Sequence, residues 1–197
     1  MNTAAQHSSP ASRPSSARAR LLDAATELFY GEGIHAVGVD RIIETAGVTR
    51  ATMYKQFGGK EALVVAYLEG EDRRLRELFA AATHQTAQPA ALLELALQGI
   101  AADIALRHTR GCPFINAAAE YPDEGPVRDV IAAHREWFRG GMTDLATAAG
   151  LTDPDEVAAS LVLLRDAALV GGYLDGVAQV EEAFLRTARG VIAAHTA

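Results

Sequence analysis

Apolar positions recur at helical spacing along almost the whole chain, and alternating Val/Ile/Thr runs bounded by turn residues are missing. In "SARARLLDAATELFYGEG", Leu21, Leu22, Ala25, Leu28 and Phe29 share one helical face, and Gly31 and Gly33 end the helix. A short second helix is expected from about Asp40 to Ala46, with Ile42, Ile43 and Ala46 turned inward and Gly47 as its stop. A third runs from Thr49 to about Phe57, where the Thr49 hydroxyl is placed to accept from a free amide of the first turn. Gly58 and Gly59 break it. A long fourth helix then starts near Lys60 and continues through "KEALVVAYLEGEDRRLRELFAAATHQ". Five more amphipathic segments follow, at about 90–107, 113–119, 125–149, 154–175 and 178–195, punctuated by "RGCP", "YPDEGP", "AGLTDPDE" and "LDGVA". The expected fold is therefore all-α. Residues 1–15, rich in Ser, Ala and Pro, read as a disordered tail. A small helical unit at 16–62 should join a larger one at 63–197 through helix four.

Composition narrows the setting. The 197 residues are 49% hydrophobic, enough for a substantial core, and only 6% aromatic. The single cysteine, Cys112, excludes an intramolecular disulfide framework and suits a reducing interior. The first twenty residues lack the apolar stretch of a secretory signal. The most apolar run, "AASLVLLRDAALVGGYL", is interrupted by Arg165 and Asp166, so no membrane span is expected and the protein should be soluble and cytoplasmic. Charge is unevenly spread within the formal total of -7. Residues 1–60 hold 7 basic and 5 acidic side chains, a balance of +2, and the remainder holds 11 basic and 20 acidic, a balance of -9. The acidic body repels phosphates, so a polyanion would have to meet the mildly basic head.

The chain's only two lysines, Lys55 and Lys60, fall in "GVTRATMYKQFGGKEAL", where helices two and three meet through a tight glycine turn. Such a pair describes a helix-turn-helix, whose second helix enters the DNA major groove. At about 100° per residue, Met53 and Phe57 share the inward face of helix three. Ala51, Thr52 and Lys55 share the outward one, with Tyr54 at its flank and Thr49 and Arg50 at its leading end. Arg50 and Lys55 can donate to guanine O6 and N7, threonine hydroxyls donate or accept, and the methyls of Ala51 and Thr52 can meet a thymine methyl. Tyr54, Lys60 and the free amides opening helix four suit phosphate oxygens. On spacing alone, the same hairpin serves equally well in proteins that bind no DNA.

The segment from Arg20 to Glu69 resembles the DNA-binding domain of the TetR/AcrR family of bacterial transcriptional regulators over its full length. The family pattern reads here as Glu27-Leu28-Phe29 closing helix one, Gly38 to Ile42 opening helix two and Ala46-Gly47-Val48 in the turn. It ends with Met53-Tyr54-Lys55-Gln56-Phe57 through Lys60-Glu61 to Leu63. Met53 stands where leucine is frequent and Gln56 where histidine is frequent. The resemblance implies base or backbone contacts from Thr49, Arg50, Ala51, Thr52, Lys55 and Gln56, and phosphate contacts from Tyr54 and Lys60. It also implies an all-helical body with a small-molecule pocket, and a homodimer formed through the last two long helices.

The body is chemically richest between Arg107 and Phe138. Cys112, Phe114, Asn116, Tyr121, His134, Trp137 and Phe138 could line an apolar cavity with a few polar anchors, or simply pack as core. The region resembles the bodies of some family members, in which a "GC-x-x-x-N" turn starts a helix behind the pocket. Cys112 with His108 or His134 suggests a thiol nucleophile, but no orienting or oxyanion group stands out, so an enzyme is not expected. Nor is a metal site, because the Cys and His spacings match no familiar ligand pattern, and no cofactor is expected. On the eighth helix Val157, Leu161, Leu164, Ala168 and Gly171 form a stripe suited to a partner helix or, alternatively, to the monomer core. The expected function is a ligand-responsive transcriptional regulator, a repressor rather than an activator. It would bind a palindromic double-stranded DNA operator as a homodimer and be released by a small-molecule effector.

Overall fold

The computed structural model describes residues 16–196; the expected tail at 1–15 lies outside the described residues. Among these there are nine α-helices and no strand. The order is α1 (Ala17–Glu32), α2 (Val39–Ala46), α3 (Arg50–Phe57), α4 (Lys60–Thr83), α5 (Pro89–Arg107), α6 (Pro113–Glu120), α7 (Pro126–Ala148), α8 (Pro154–Asp175) and α9 (Val177–Ala194). Helix starts carry local causes. Ser16 caps α1 by accepting from the Ala19 amide at 3.2 Å, and proline occupies the first turn of α5, α6, α7 and α8.

In the head, α1, α2 and α3 close around Leu21, Leu28, Phe29, Ile42 and Met53, all buried. The reversal between α2 and α3 depends on Gly47, whose φ of 60° lies in the left-handed region that a side chain disfavours. There its amide reaches the Glu44 carbonyl, while the Val48 amide reaches that of Ile43. Helix α4 then serves two cores. Leu63, Val64, Tyr67 and Leu68 are buried where it packs on α1, and its later turns pack on α5 and α7.

The body is a bundle of α5, α7, α8 and α9 with the short α6 laid against α4 and α7. Its core includes Leu93, Leu97, Ile104, Met142, Leu161 and Leu169. Two findings correct or complete the sequence reading. First, α5 and α8 each contain a window of mean hydropathy 1.5, long and apolar enough to cross a membrane. Here α8 packs on α7 and α9, and α5 on α9 and α7. Second, of the two roles open to the α8 stripe, the monomer core holds for most of it: Val157 and Leu161 are fully buried and Ala168 nearly so, while Leu164 and Gly171 are half-buried. The chain turns back at Gly176, so α9 packs against α8. A Cβ on Gly171 would lie 3.4 Å from Val180 of α9, and one on Gly172 would lie 3.3 Å from Ile104 of α5. The small residues therefore serve close approach within the chain. The face of α8 left open carries Leu163, Ala167, Val170 and Leu174, spaced for one helical side.

Candidate nucleic-acid interface and body cavity

Helix α3 is amphipathic across its width. Met53 and Phe57 are buried, whereas Arg50, Ala51, Tyr54, Lys55 and Gln56 are exposed along with the cap residue Thr49, and Thr52 is half-buried. Among the described residues nothing covers the outward face. Thr49 accepts from the Thr52 amide at 3.2 Å, and the two hydroxyls share a hydrogen bond of 2.8 Å that fixes the leading end of the helix. Arg50 is paired with Asp40 of α2, an exposed ion pair that a phosphate or base can displace at small cost. Lys55 lies in the last turn, where the helix dipole favours a cation.

Lys60 is set apart from that face. It is half-buried, its Nζ stands 6.0 Å from the Phe29 ring centroid, and burial lowers its pKa against the opposing pull of Glu120. Beside it, no side chain caps α4, so the first-turn amides of a 24-residue helix are available to an anion. Arg18, which the sequence reading passed over, lies next to α3. Its guanidinium stacks 4.2 Å from the Phe57 ring centroid and donates to the Gln56 carbonyl at 3.2 Å. An arginine one turn before the apolar run of α1 carried no signal of this placement.

Head and body are also joined away from α4 by a group of residues absent from the sequence expectations. The Arg110 amide donates to the Tyr30 hydroxyl at 2.8 Å, and that hydroxyl donates to the Gly111 carbonyl at 3.0 Å. The Arg110 guanidinium donates to the Tyr30 carbonyl at 3.0 Å and to that of Gly31. Glu120, the last residue of α6, accepts from the amides of Ile34 at 2.8 Å and His35 at 2.5 Å. Hydrogen bonds to a charged acceptor are the stronger kind. Glu120→Ala is therefore expected to cost about 1–3 kcal/mol in urea unfolding and to speed hydrogen exchange at the Ile34 and His35 amides. Unchanged exchange there would remove Glu120 as a tie.

The body holds a cavity of about 600 Å³ between α4, α5, α7 and α8 that opens to solvent. Leu75, Phe79, Ile100, Trp137, Phe138 and Leu169 supply apolar wall, with the exposed Leu78 and Leu106 also on its lining. Of the seven body residues singled out in the sequence, Trp137 and Phe138 line it. Phe114 and His134 stack at 3.8 Å, with the His134 ring 5.7 Å from Trp137. Cys112 is the buried cap residue of α6, and burial pushes its thiol pKa up, so it is protonated and unreactive. Asn116 closes the loop before α6 by donating to the Arg110 carbonyl at 2.9 Å, and Tyr121 stands 5.1 Å from the His35 ring, facing the head. Asn116 also borders a separate cleft of about 90 Å³ with Phe29, Tyr30, Tyr67 and Glu120.

The charged members of the large cavity's lining were not foreseen. They are Arg74, Arg107 and Arg165 against Asp103. Arg74 donates to Asp103 at 2.9 Å and to Glu71 at 3.2 Å; burial depresses its pKa, but those carboxylates outweigh it and the net direction is upward. Asp103 also bonds His108 Nε2 at 2.7 Å. Burial opposes its ionisation, yet His108 and Arg74 hold its pKa below the ordinary value. Arg165 had one available signal, a charge inside the most apolar run of the chain. Among the described residues no group of three or more His, Cys, Asp or Glu side chains could hold a metal.

Known proteins match this arrangement. The family profile "Bacterial regulatory proteins, tetR family" matches residues 21–67, which span α1 to the first part of α4. SCO4454, a TetR-family transcriptional regulator from Streptomyces coelicolor, is 42% identical, with a TM-score of 0.88 over 92% of this chain and 96% of that one. An HTH-type transcriptional regulator of Mycobacterium tuberculosis is 45% identical over 56 residues, only 28% of either protein. The HTH-type regulator LmrA of Bacillus subtilis is 27% identical over 61% of this chain and 66% of its own length. With α1 to α3 forming the DNA-binding head and a whole-length relative this similar, the chain belongs to the TetR family of bacterial transcriptional regulators, which are not enzymes.

Proposed function

We propose that this regulator is a repressor that binds a palindromic operator as a homodimer and leaves it when a small molecule fills the body cavity. The observation that carries this reading is the span of α4. It is one unbroken helix whose uncapped start lies beside α3 and whose later residues Arg74, Leu75, Leu78, Phe79, Ala81 and Ala82 line the cavity. A ligand with a preference for one α4 position shifts the head, and it can do so only by that difference in affinity. The Tyr30–Arg110–Glu120 ties give the body a second hold on the head.

In this reading, residues 16–62 form the DNA-binding unit and 63–197 the effector and dimerisation unit. Two heads must sit about 34 Å apart to enter successive major grooves, and pairing of the bodies provides that separation. The open α8 face, with Leu163 68% and Leu174 69% exposed, supports a partner seated on α8 and α9. Helix α3 enters the groove, with Thr49, Arg50, Ala51, Thr52, Lys55 and Gln56 toward bases or the adjoining backbone. Tyr54, Lys60 and the α4 amides meet phosphate. The acidic body keeps DNA at the heads.

Fluorescence anisotropy with DNA from the neighbouring promoter tests the proposal. Binding should weaken steeply with salt as phosphate contacts release counterions. Lys60→Ala should weaken operator and unrelated DNA by the same factor, whereas Lys55→Ala should also change the preferred sequence. Salt-insensitive binding, or equal effects of both substitutions on sequence preference, would refute this division of roles.

A further inference from the structure

We propose that the body cavity selects an apolar organic anion, a carboxylate or sulfonate on a hydrophobic frame, and that Arg165 is its anchor. This rests on the reading of the cavity as the effector site. Arg165 lines the cavity, yet it is only 5% exposed, and its guanidinium carbon stands 4.6 Å from the centroid of the Phe138 ring, another lining residue. Among the described residues it makes no hydrogen bond. Its one ion pair is with Asp166 Oδ1 at 3.7 Å, beyond hydrogen-bonding distance, and Asp166 gives its other oxygen to Arg135 at 2.8 Å.

A buried guanidinium in apolar surroundings is costly unless its donors are used. Five N–H groups in a fixed fork match the two oxygens of a carboxylate, so an entering anion can accept from donors that the protein leaves unpaired. The rest of the lining points the same way. Three arginines face one aspartate, in a body whose side chains otherwise sum to a strong negative charge. Asp103, the one acidic member, is already engaged by Arg74 and His108. Arg74 keeps one further nitrogen, Nη2, buried and without a partner. A cationic effector would meet these arginines with no free carboxylate on the lining. The apolar frame would lie on Phe79, Trp137 and Ile100.

The test uses the full-length protein and two probes of matched rings, the anion 1-anilinonaphthalene-8-sulfonate and the neutral N-phenyl-1-naphthylamine. Trp137 is the chain's single tryptophan and lines the cavity, so its quenching reports occupancy. The wild type should bind the anion at least about tenfold more tightly than the neutral probe. Arg165→Met should abolish that preference while leaving neutral binding intact, and Arg165→Lys should keep part of it. Decanoate should displace the anion and decylamine should not. Equal wild-type affinity for both probes overturns the proposal even if Arg165→Met fails to fold, and so does a preference that survives in Arg165→Met. In either case the cavity stands as a ligand site. If neither probe quenches Trp137 saturably, the effector cavity itself falls.

Discussion

For the proposed dimer, Val170→Glu combined with Leu174→Glu is expected to give a monomer in solution and to lower operator affinity by at least about a hundredfold. Both positions lie on the open side of α8, where Val170 is 41% and Leu174 69% exposed in the protomer. Neither contributes to the protomer core, so substitution there should change its own stability by no more than about 0.5 kcal/mol. In a two-fold pair the same patch meets itself, so each substitution appears twice and four carboxylates would be desolvated against one another. A stable dimer buries on the order of 1,200–2,000 Å² in total, and Leu163, Tyr173 and Leu174 are the exposed large apolar side chains with which to begin such a contact. Once dimerisation is lost, each head binds its half-site alone and the gain from tethering two sites disappears. Light scattering and anisotropy on the same sample decide the matter. A double variant that remains dimeric, or a monomer that binds the operator as tightly as the wild type, would exclude this face.

The second large effect is on stability and belongs to His134. Burial drives its pKa down to about 4, outweighing the Asp72 carboxylate that pulls it up, while Arg165 and Arg76 add to the depression. Its Nδ1 is 2.8 Å from Asp72 Oδ1, so the neutral ring carries its proton there, and Nε2 is buried without a partner. The unfolded chain takes up a proton near the ordinary value of about 6.5, whereas the folded one resists until about 4. The unfolded state therefore binds more protons between those values, and stability falls as the pH drops through that window. By about pH 5 the loss should reach about 2 kcal/mol relative to neutral pH. His134→Phe, which keeps a ring stacked on Phe114, should remove this slope between about pH 6.5 and 4 in urea titrations followed by circular dichroism. A slope unchanged in that variant would show that other groups govern the acid response. The same burial makes His134 a structural residue of the cavity's supporting layer, one ring removed from its Trp137 wall.

Much of the head could be read directly because its determinants are local. Gly47, Thr49 and the double glycine at 58–59 set the turn and both ends of α3 through backbone conformation and capping, and the spacing of Met53 and Phe57 fixed which side turned inward. The outward side, with Ala51, Thr52 and Lys55, followed from the same 3.6-residue period, whereas Gln56 came only from the family resemblance. The body was harder for a physical reason. Its helices are apolar around much of their circumference, so periodicity located α8 but could not say which neighbour would cover which side. Val157 and Leu161 turned into their own protomer, while Leu163 and Leu174 stayed open.

The sequence by itself determined the all-helical class, the number and approximate ends of the nine described helices, the inward and outward sides of α3 and the uneven charge, because each depends on neighbours within a turn or two. Only the tertiary structure decided the rest. It gathered Arg74, Asp103, Phe138 and Arg165 from four helices into one cavity, set Glu120 against amides more than eighty residues earlier, and buried His134 among aromatic rings. Those outcomes depend on which helix faces pack together, and a pattern read along one dimension does not contain the pairing.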